Sequence, residues 1–352
     1  MSDMATEPLV RNAWYIAAWA HELDERPIAR QILNEDLVLF RDGTGRAAAL
    51  EDRCCHRGAP LSMGEAVEHG IRCGYHGMAF DGGGNCIDNP GDVIKPQVHR
   101  VRAYPVVERH QIIWVWTGAA AAADESLIVD YPQHEDDDWP FHFGRYEIDA
   151  NYMFLVDNLM DLTHLGYVHG TTIGGDPDAH NIADLKTNRT DRGAHFLRWM
   201  MNSPPPPAFV KVAGFKGQID RWADFEYVAP SSVLQWAGAM NAGTGARENR
   251  DQDGGMAIRL LHHATPKTDD TFHYFFSAGV RGHATDSPAS SGFFQDVKEA
   301  FLEDKAFIEA QQRVVDRDPM RRLTMRGHDR AVGYARKAIR DLLAKEMRTA
   351  AE

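Results

Sequence analysis

The sequence predicts an α+β protein in which an all-β domain precedes a domain that combines an antiparallel sheet with helices. Short alternating apolar runs, broken by turns, fill residues 12–117, and this pattern is typical of half-buried strands. Further alternating runs follow residue 141, but strands and helices do not alternate regularly there, which argues against a parallel sheet. The chain closes on a long helical region at 291–346, interrupted near Pro319.

Size and charge limit what these domains can do. A chain of 352 residues is longer than one hydrophobic core usually supports, so two domains are expected. Lys and Arg number 38 against 51 Asp and Glu, a formal net charge of -13, and this balance would repel a phosphate backbone. No stretch approaches the ~18 apolar residues of a membrane span. We expect a soluble, cytoplasmic protein that binds neither nucleic acid nor membrane.

A polar, alanine-rich segment separates the two predicted domains. The alanine run at 119–123 is followed by Asp, Glu and Ser, and HEDDDWP at 134–140 has almost no apolar residues. Such a segment has little to bury. We therefore predict a first domain at 12–117, a linker at 118–140 and a second domain at 141–345.

Two pairs of cysteine and histidine form the first candidate metal site. Cys54 and His56 stand as C-x-H, and Cys73 and His76 follow as C-x2-H after sixteen intervening residues. Two Cys on one iron and two His on the other is the arrangement of a Rieske 2Fe-2S cluster. A Cys2His2 zinc site uses the same ligand types. Glycine-rich loops surround both pairs, however, whereas zinc fingers usually place the two His on a helix.

A second set of candidate ligands lies in the second domain. The run from Asn158 to His169 reads N-x2-D-x2-H-x4-H and includes Asp161 and His164. Two His five residues apart point about 140° from each other on an ideal helix. They can bind one metal only if the helix ends or loosens between them, and Gly166 lies in that interval. Asp161 is the i, i+3 neighbour of His164, so its carboxylate is expected to hold that ring or lie behind it.

The third ligand of this site is sought in the closing helical region. Two His fall one carboxylate short of the 2-His-1-carboxylate triad, which holds Fe(II) and leaves other positions open. Asp304 falls on the apolar stripe of the helix, where an unpaired carboxylate is costly. We expect Asp304 to bind the metal, with a buried ion pair as the alternative. The opposite, solvated side is expected to carry Asp296, Glu299, Glu303 and Glu309.

Taken together, these motifs resemble the oxygenase subunits of Rieske non-haem iron oxygenases. The resemblance rests on CCH at 54–56, CGYH at 73–76, the run at 158–169 and EDK at 303–305. NAWYIAAWAHEL near the N-terminus and IIWVW at the end of the first domain are more narrowly similar to the vanillate O-demethylase and dicamba monooxygenase branch. Cys55, the spacer of the first pair, departs from a position that is often Pro in these relatives.

The resemblance implies an architecture and a set of partners. It implies a Rieske domain followed by a helix-grip catalytic domain, assembled head to tail as a homotrimer. Asp161 would then bridge His76 of one subunit to His164 of the next. Electrons would come from NADH through a separate flavin and iron-sulfur reductase, or through a ferredoxin.

The resemblance also implies a reaction. With O2 and a mononuclear Fe2+, the enzyme would hydroxylate or O-demethylate a small aromatic acid or ether. His273 is expected to contact a substrate carboxylate, and a strand His facing solvent is the alternative. Asn158 is a further catalytic candidate.

Two rival functions stay open at this point. A cis-dihydroxylating ring dioxygenase usually has a longer large subunit and often a small companion subunit, and product analysis under labelled O2 would identify it. A zinc-stabilised binding or electron-carrier module would leave His164, His169 and Asp304 without a role. The substrate itself is not predicted, because pocket walls come from scattered residues.

Overall fold

The fold is described from a computed structural model, which describes residues 6–24, 26–91, 98–250 and 255–349. Within these ranges the chain divides into two compact units. The N-terminal unit consists of Leu9–Tyr131 and Thr265–Asp269. The C-terminal unit consists of residues 6–8, 132–264 and 270–349.

Short antiparallel strands build the described part of the N-terminal unit. Their bounds are β1 (Trp14–Trp19), β2 (Ile28–Ile32), β3 (Glu35–Arg41), β4 (Ala47–Glu51), β5 (Glu65–Val67), β6 (Gly70–Arg72), β7 (Ala79–Phe80), β8 (Cys86–Asp88), β9 (Ala103–Tyr104), β10 (Val106–Arg109) and β11 (Ile112–Trp116). They form three small sheets, ordered β1-β11-β10, β2-β3-β4-β9 and β5-β6-β7-β8.

One hydrophobic core joins strands from the second and third of these sheets. Phe40 on β3, Leu50 on β4 and Ile71 on β6 are each 0% exposed and belong to the same cluster. Cys54 and Cys73 lie in that cluster as well. Both cysteines are therefore anchored in packed structure, which holds the loops that follow them in one geometry.

One antiparallel sheet, with helices packed against it, builds the described part of the C-terminal unit. Its strands are β12 (Phe141–Ile148), β13 (Asp184–Thr190), β14 (Gly193–Ser203), β15 (Ile219–Val228), β16 (Ser232–Asn241), β17 (Met256–Pro266) and β18 (Phe272–Val280). Strands β13 to β17 form an antiparallel meander, and β12 pairs antiparallel with β18 at the other edge. The predicted α+β fold class is confirmed.

Helices pack against this sheet, and one of them, α6, carries the third candidate ligand. Their bounds are α1 (Met153–Met160), α2 (Leu165–Val168), α3 (Pro177–Asn181), α4 (Pro207–Ala213), α5 (Ala246–Asn249), α6 (Pro288–Val315) and α7 (Arg330–Thr349). Helix α6 lies on the sheet through Phe301, whose ring lies 5.3 Å from that of Tyr274 and 5.0 Å from that of Phe276. The apolar stripe read from the sequence is therefore the face that α6 buries.

The closing helical region is interrupted over a longer stretch than the sequence predicts. Helix α6 ends at Val315 and α7 begins at Arg330, and the residues between them are mostly exposed. Pro319 explains the break, because proline removes a backbone donor and the residue before it is steered away from helical angles. Within the described ranges, none of the helices combines the length and apolarity needed to cross a membrane.

Candidate metal centres and cavity

The two Cys/His loops of the N-terminal unit share one backbone design. The carbonyl of Cys54 accepts a hydrogen bond from the amide of Gly58 at 2.9 Å, and the carbonyl of Cys73 accepts one from Gly77 at 3.1 Å. Both glycines have left-handed backbone angles, with φ of 71° and 80°, which glycine adopts without steric cost. Each loop therefore turns back on itself in the same way, four residues after its cysteine.

The four candidate cluster ligands are divided by burial. Cys54 and Cys73 are each 3% exposed, whereas His56 and His76 are exposed, with ring centroids 4.6 Å apart. Burial raises the pKa of the Cys54 thiol to about 11, and the neighbouring Cys73 adds to this shift. Binding of a metal would favour the loss of the protons from two thiols buried side by side. Two buried sulfurs beside two exposed imidazoles fit a two-iron cluster in which cysteines bind one iron and histidines bind the other.

The second candidate site is created by a break in the helix that carries it. Helix α1 ends before Asp161, whose backbone is extended at φ -130° and ψ 102°. The Asp161 carboxylate accepts hydrogen bonds from the amide and the hydroxyl of Thr163, each at 2.9 Å, and so caps a 3-10 turn that ends at His164. Helix α2 follows, and His169 leaves it with φ -113° and ψ 25°. His164 thus ends the 3-10 turn and His169 follows the last residue of α2, and their ring centroids lie 5.4 Å apart.

Gly166 has a different role from the one expected. The sequence suggests that it loosens the helix between the two His, but it lies inside α2. A Cβ at Gly166 would stand 2.4 Å from Cα of Pro177 at the start of α3. Glycine is required there so that two backbones can approach closely. The helix instead ends at Val168, so His169 lies outside it.

Three candidate ligands converge at this site. Nε2 of His169 lies 3.0 Å from Oδ1 of Asp304, and Nε2 of His164 lies 3.6 Å from the same oxygen. One ligand atom from each residue fits within 4.8 Å of the other two. His169 is 0% and Asp304 6% exposed. Two imidazoles and one carboxylate with their ligand atoms this close together fit a 2-His-1-carboxylate iron site.

Both imidazoles are oriented by a hydrogen bond on the far side of the ring. Nδ1 of His164 donates to the backbone carbonyl of Asp161 at 2.8 Å, and Nδ1 of His169 donates to Oε2 of Glu303 at 2.7 Å. Such contacts fix the tautomer and direct Nε2 at the metal. The expectation that the Asp161 carboxylate supports His164 is corrected, because that carboxylate is used by the capped turn and the carbonyl takes its place.

Three acidic residues of α6 do not lie on the solvated side to which the sequence assigns them. The side chain of Glu309 is only 18% exposed. Glu303 reaches His169, and Asp296 is 5% exposed and accepts two hydrogen bonds from Nζ of Lys211 on α4, at 2.6 and 2.9 Å. The periodicity argument fails here because α6 is covered by α4 as well as by the sheet, so its buried face is wider than one stripe. Only the adjacency of Glu303 to Asp304 in the sequence hints at its role.

Electrostatics act differently on the three candidate ligands of the second site. Burial opposes protonation of His169, but its hydrogen bonds to Asp304 and Glu303 raise its pKa overall. Burial opposes ionisation of Asp304, but the hydrogen bond with His169 and the nearby His164 lower its pKa overall. Burial lowers the pKa of His164 and so keeps it neutral. Asn158 donates from Nδ2 to Oδ1 of Asp304 at 2.9 Å, so its amide orients the carboxylate of the triad.

A cavity opens beside this site. His164, Asp304 and Asn158 are among its lining residues, and aromatic and aliphatic side chains form most of its walls. This lining suits a small aromatic ligand. Its further polar lining residues include His262, which the sequence did not single out.

His262 belongs to a hydrogen-bonded row across the cavity wall. The hydroxyl of Tyr274 donates to its Nδ1 at 2.7 Å, and its Nε2 donates to Oε1 of Gln235 at 2.9 Å. Burial lowers the pKa of His262 to about 3, so the imidazole is neutral and the row is satisfied without charge. No sequence signal identified this row, because its members lie on three different strands.

His273 is not brought to the cavity. Successive residues of a strand point to opposite faces, and its neighbour Tyr274 packs on Phe301 of α6 on the cavity side. His273 is 4% exposed, and its Nδ1 lies 3.3 Å from Nη1 of Arg145 on the paired strand. It is neither the substrate contact expected from the resemblance nor the solvent-facing residue of the alternative.

Comparison with protein families gives two matches in sequence order. Residues 13–105 match the Rieske [2Fe-2S] domain. Residues 148–345 match the vanillate O-demethylase oxygenase C-terminal domain. Together the two models cover most of the chain.

Individual relatives match over nearly the whole chain. The toluene-4-sulfonate monooxygenase system iron-sulfur subunit of Comamonas testosteroni is 36% identical over 96% of this chain and 98% of the relative. The dicamba O-demethylase oxygenase component of Stenotrophomonas maltophilia is 37% identical over 86% and 88%. The crystal structure of dicamba monooxygenase with non-haem iron and dicamba superposes with a TM-score of 0.79 at 32% identity, covering 97% and 100% of the two chains.

Proposed function

Since this chain belongs to the Rieske non-haem iron oxygenase components that carry a vanillate O-demethylase C-terminal domain, we propose that it hydroxylates or O-demethylates an aromatic acid or ether. It is the oxygenase component of a monooxygenase system and holds a Rieske 2Fe-2S cluster and Fe2+. The zinc-stabilised module considered from the sequence is set aside on this ground. The observation that carries the proposal is the convergence of His164, His169 and Asp304 beside a largely apolar cavity that His164 and Asp304 line.

The proposed ligands follow from geometry and donor type. Cys54 and Cys73 supply buried thiolates and His56 and His76 exposed imidazoles to the cluster, while the three converging side chains of the C-terminal unit hold the iron. When bound, the cluster supplies single electrons and the iron supplies a site for O2. We keep 12–117, 118–140 and 141–345 as the proposed domain and linker bounds.

The remaining cavity residues position the substrate. The apolar walls hold an aromatic ring and exclude water from the reacting atoms. The row through His262 offers hydrogen bonds to a polar substituent without adding charge. Hydroxylation of a methoxy carbon gives a hemiacetal, which breaks down to formaldehyde and a phenol.

The assembly and the electron donor are further parts of the proposal. We propose a head-to-tail homotrimer in which Asp161 bridges His76 of one subunit to His164 of the partner subunit, its carboxylate directed at His76 and its backbone carbonyl holding His164. The support is that the Asp161 carboxylate is bonded only to Thr163 among the described residues and stays half-buried. The donor is proposed to be an NADH-dependent flavin and iron-sulfur reductase or a ferredoxin. An Asp161→Asn variant should keep both metals yet fail to oxidise its cluster in a single turnover.

The test of the proposed reaction is a substrate screen with a surrogate reductase. Methoxylated and halogenated aromatic acids and ethers are supplied, and formaldehyde release is followed together with oxygen uptake. Formaldehyde in proportion to oxygen consumed supports O-demethylation. Two atoms of labelled oxygen in a ring diol would instead identify the dioxygenase alternative, and oxygen uptake without any product would refute the proposal.

A further inference from the structure

Arg221 is a buried cation in the wall of the candidate catalytic cavity. It lies on β15, where Ala223 and Phe225 line the same cavity from the same face of the strand. Its side chain shares this cavity with His164 and Asp304. The residue is 7% exposed, so water contributes little to the stability of its charge.

The contacts of Arg221 do not neutralise that charge. Nη1 donates to the carbonyl of Gly174 at 2.9 Å and Nη2 to that of Ile173 at 3.2 Å. The guanidinium also lies over the ring of Phe209, 4.8 Å from its centroid. Nε has no partner, and among the described residues no carboxylate forms an ion pair with Arg221. Two of the five N–H donors are thus used, both on neutral acceptors.

A second buried arginine stands on the neighbouring strand. Arg198 on β14 faces Ala223 in the register of the sheet and therefore shares its face. It is 3% exposed, donates from Nη2 to the carbonyl of His180, and also has an unpartnered Nε. Burial lowers the pKa of Arg221 to about 9, and the charge of Arg198 adds to this shift. Burial also lowers the pKa of Arg198 to about 10, although the charge of Asp161 opposes this.

Elsewhere in the same unit a buried arginine is paired. Arg336 is 8% exposed and forms ion pairs with Asp157 and Glu7. Burying a charge without a partner is costly, so the unpaired guanidinium of Arg221 in the cavity wall needs an explanation. An anion that enters the cavity would supply the missing counter-charge.

We propose that Arg221, supported by the charge of Arg198, binds the anionic group of the substrate, a carboxylate or sulfonate carried on an aromatic ring. This inference rests on the proposed oxygenase function and makes its substrate class specific. The planar guanidinium suits both anions, because its N–H groups match two oxygens at once. Phe209 beneath it offers a surface for the ring that carries the anion.

The test compares charged and uncharged ligands of one shape. Binding of 4-methoxybenzoate, 4-methoxybenzenesulfonate and 4-methoxybenzamide to the holoenzyme is measured by calorimetry without reductase. In Arg221→Gln, Kd for the tighter anion should rise about 10- to 100-fold, since charged hydrogen bonds have this strength. Kd for the amide should change less than about threefold. Arg221→Lys keeps the positive charge but loses the planar pair of N–H groups, so its affinity for the anion should lie between those of the wild type and Arg221→Gln.

Arg189→Gln is the matched control, because it removes an exposed arginine of the same sheet that pairs with Asp341. It should leave every Kd unchanged. An equal loss of affinity for anion and amide in Arg221→Gln, with iron and cluster content intact, would mean that Arg221 only ties down the loop at 173–174. If Arg221→Gln does not fold, the wild type decides: amide binding as tight as anion binding overturns the inference. Anion binding that depends on Arg221 but leads to no oxidation would leave the inference standing and refute the proposed reaction.

Discussion

Removing the charge of Glu303 should weaken iron binding while leaving the Rieske cluster in place. Glu303 accepts the Nδ1–H of His169 at 2.7 Å, and that ring presents Nε2 to the proposed iron site. Glu303→Gln keeps an acceptor but loses the negative charge that makes His169 a stronger ligand. Glu303→Ala loses both.

The size of the effect follows from the exposure of the carboxylate. Replacing an outer-sphere partner of a metal-ligating His typically costs 10- to 100-fold in metal affinity. The Glu303 side chain is 39% exposed, so water can replace part of the lost contact. We therefore expect a rise in Kd of about tenfold, or about 1.4 kcal/mol, for Glu303→Gln and a larger rise for Glu303→Ala.

The assay is a chelator competition in which bound iron is measured at increasing chelator concentration. The visible absorbance of the cluster is an internal control, because its ligands lie in the N-terminal unit. Glu299→Gln, one turn earlier on α6 and exposed, is the matched control and should bind iron as the wild type does. Wild-type iron affinity in both Glu303 variants would refute the argument that this hydrogen bond tunes the site.

Three further changes test other parts of the structure. Asp304→Ala should keep the brown cluster but lose the second iron and turnover, as measured by metal analysis and oxygen uptake; full activity would refute the ligand assignment. Arg336→Met leaves the carboxylate of Asp157 without its ion pair and should lower the free energy of unfolding by about 3 kcal/mol, measured by urea denaturation; a loss under about 1 kcal/mol would contradict it. The hydrogen bond to Asp224 raises the pKa of His195 although burial opposes it, so its stabilisation is present below the unfolded pKa of about 6.5 and is lost as the pH rises through the folded pKa. His195→Gln should remove that fall in stability, which is expected to stay under about 1 kcal/mol because the ring is 32% exposed; an unchanged pH profile of thermal unfolding would refute the role.

Local patterns were sufficient to predict the fold class and to single out the candidate metal ligands. Each Cys/His pair lies within one short loop, so its spacing alone specifies which atoms can meet one cluster. The antiparallel sheet was predictable because alternation of apolar residues reports a buried face directly. Asp304 was found by the same logic, since a carboxylate in an apolar stripe needs a partner.

The orientation of the ligands and the chemistry of the cavity depended on tertiary structure. Glu303 and His169 are 134 residues apart in sequence. Helical periodicity placed Glu303 in solvent because a periodicity analysis assumes that a helix buries a single face. The support of His164 by a backbone carbonyl could not be read from side-chain identity. Arg221 looked like any arginine of an alternating strand until the structure showed it buried, facing the cavity and without a carboxylate among the described residues. The sequence by itself predicted which residues are candidate metal ligands, because ligand chemistry is local. The structure decided which residues orient those candidates and which charge faces the cavity, because such contacts join distant parts of the chain.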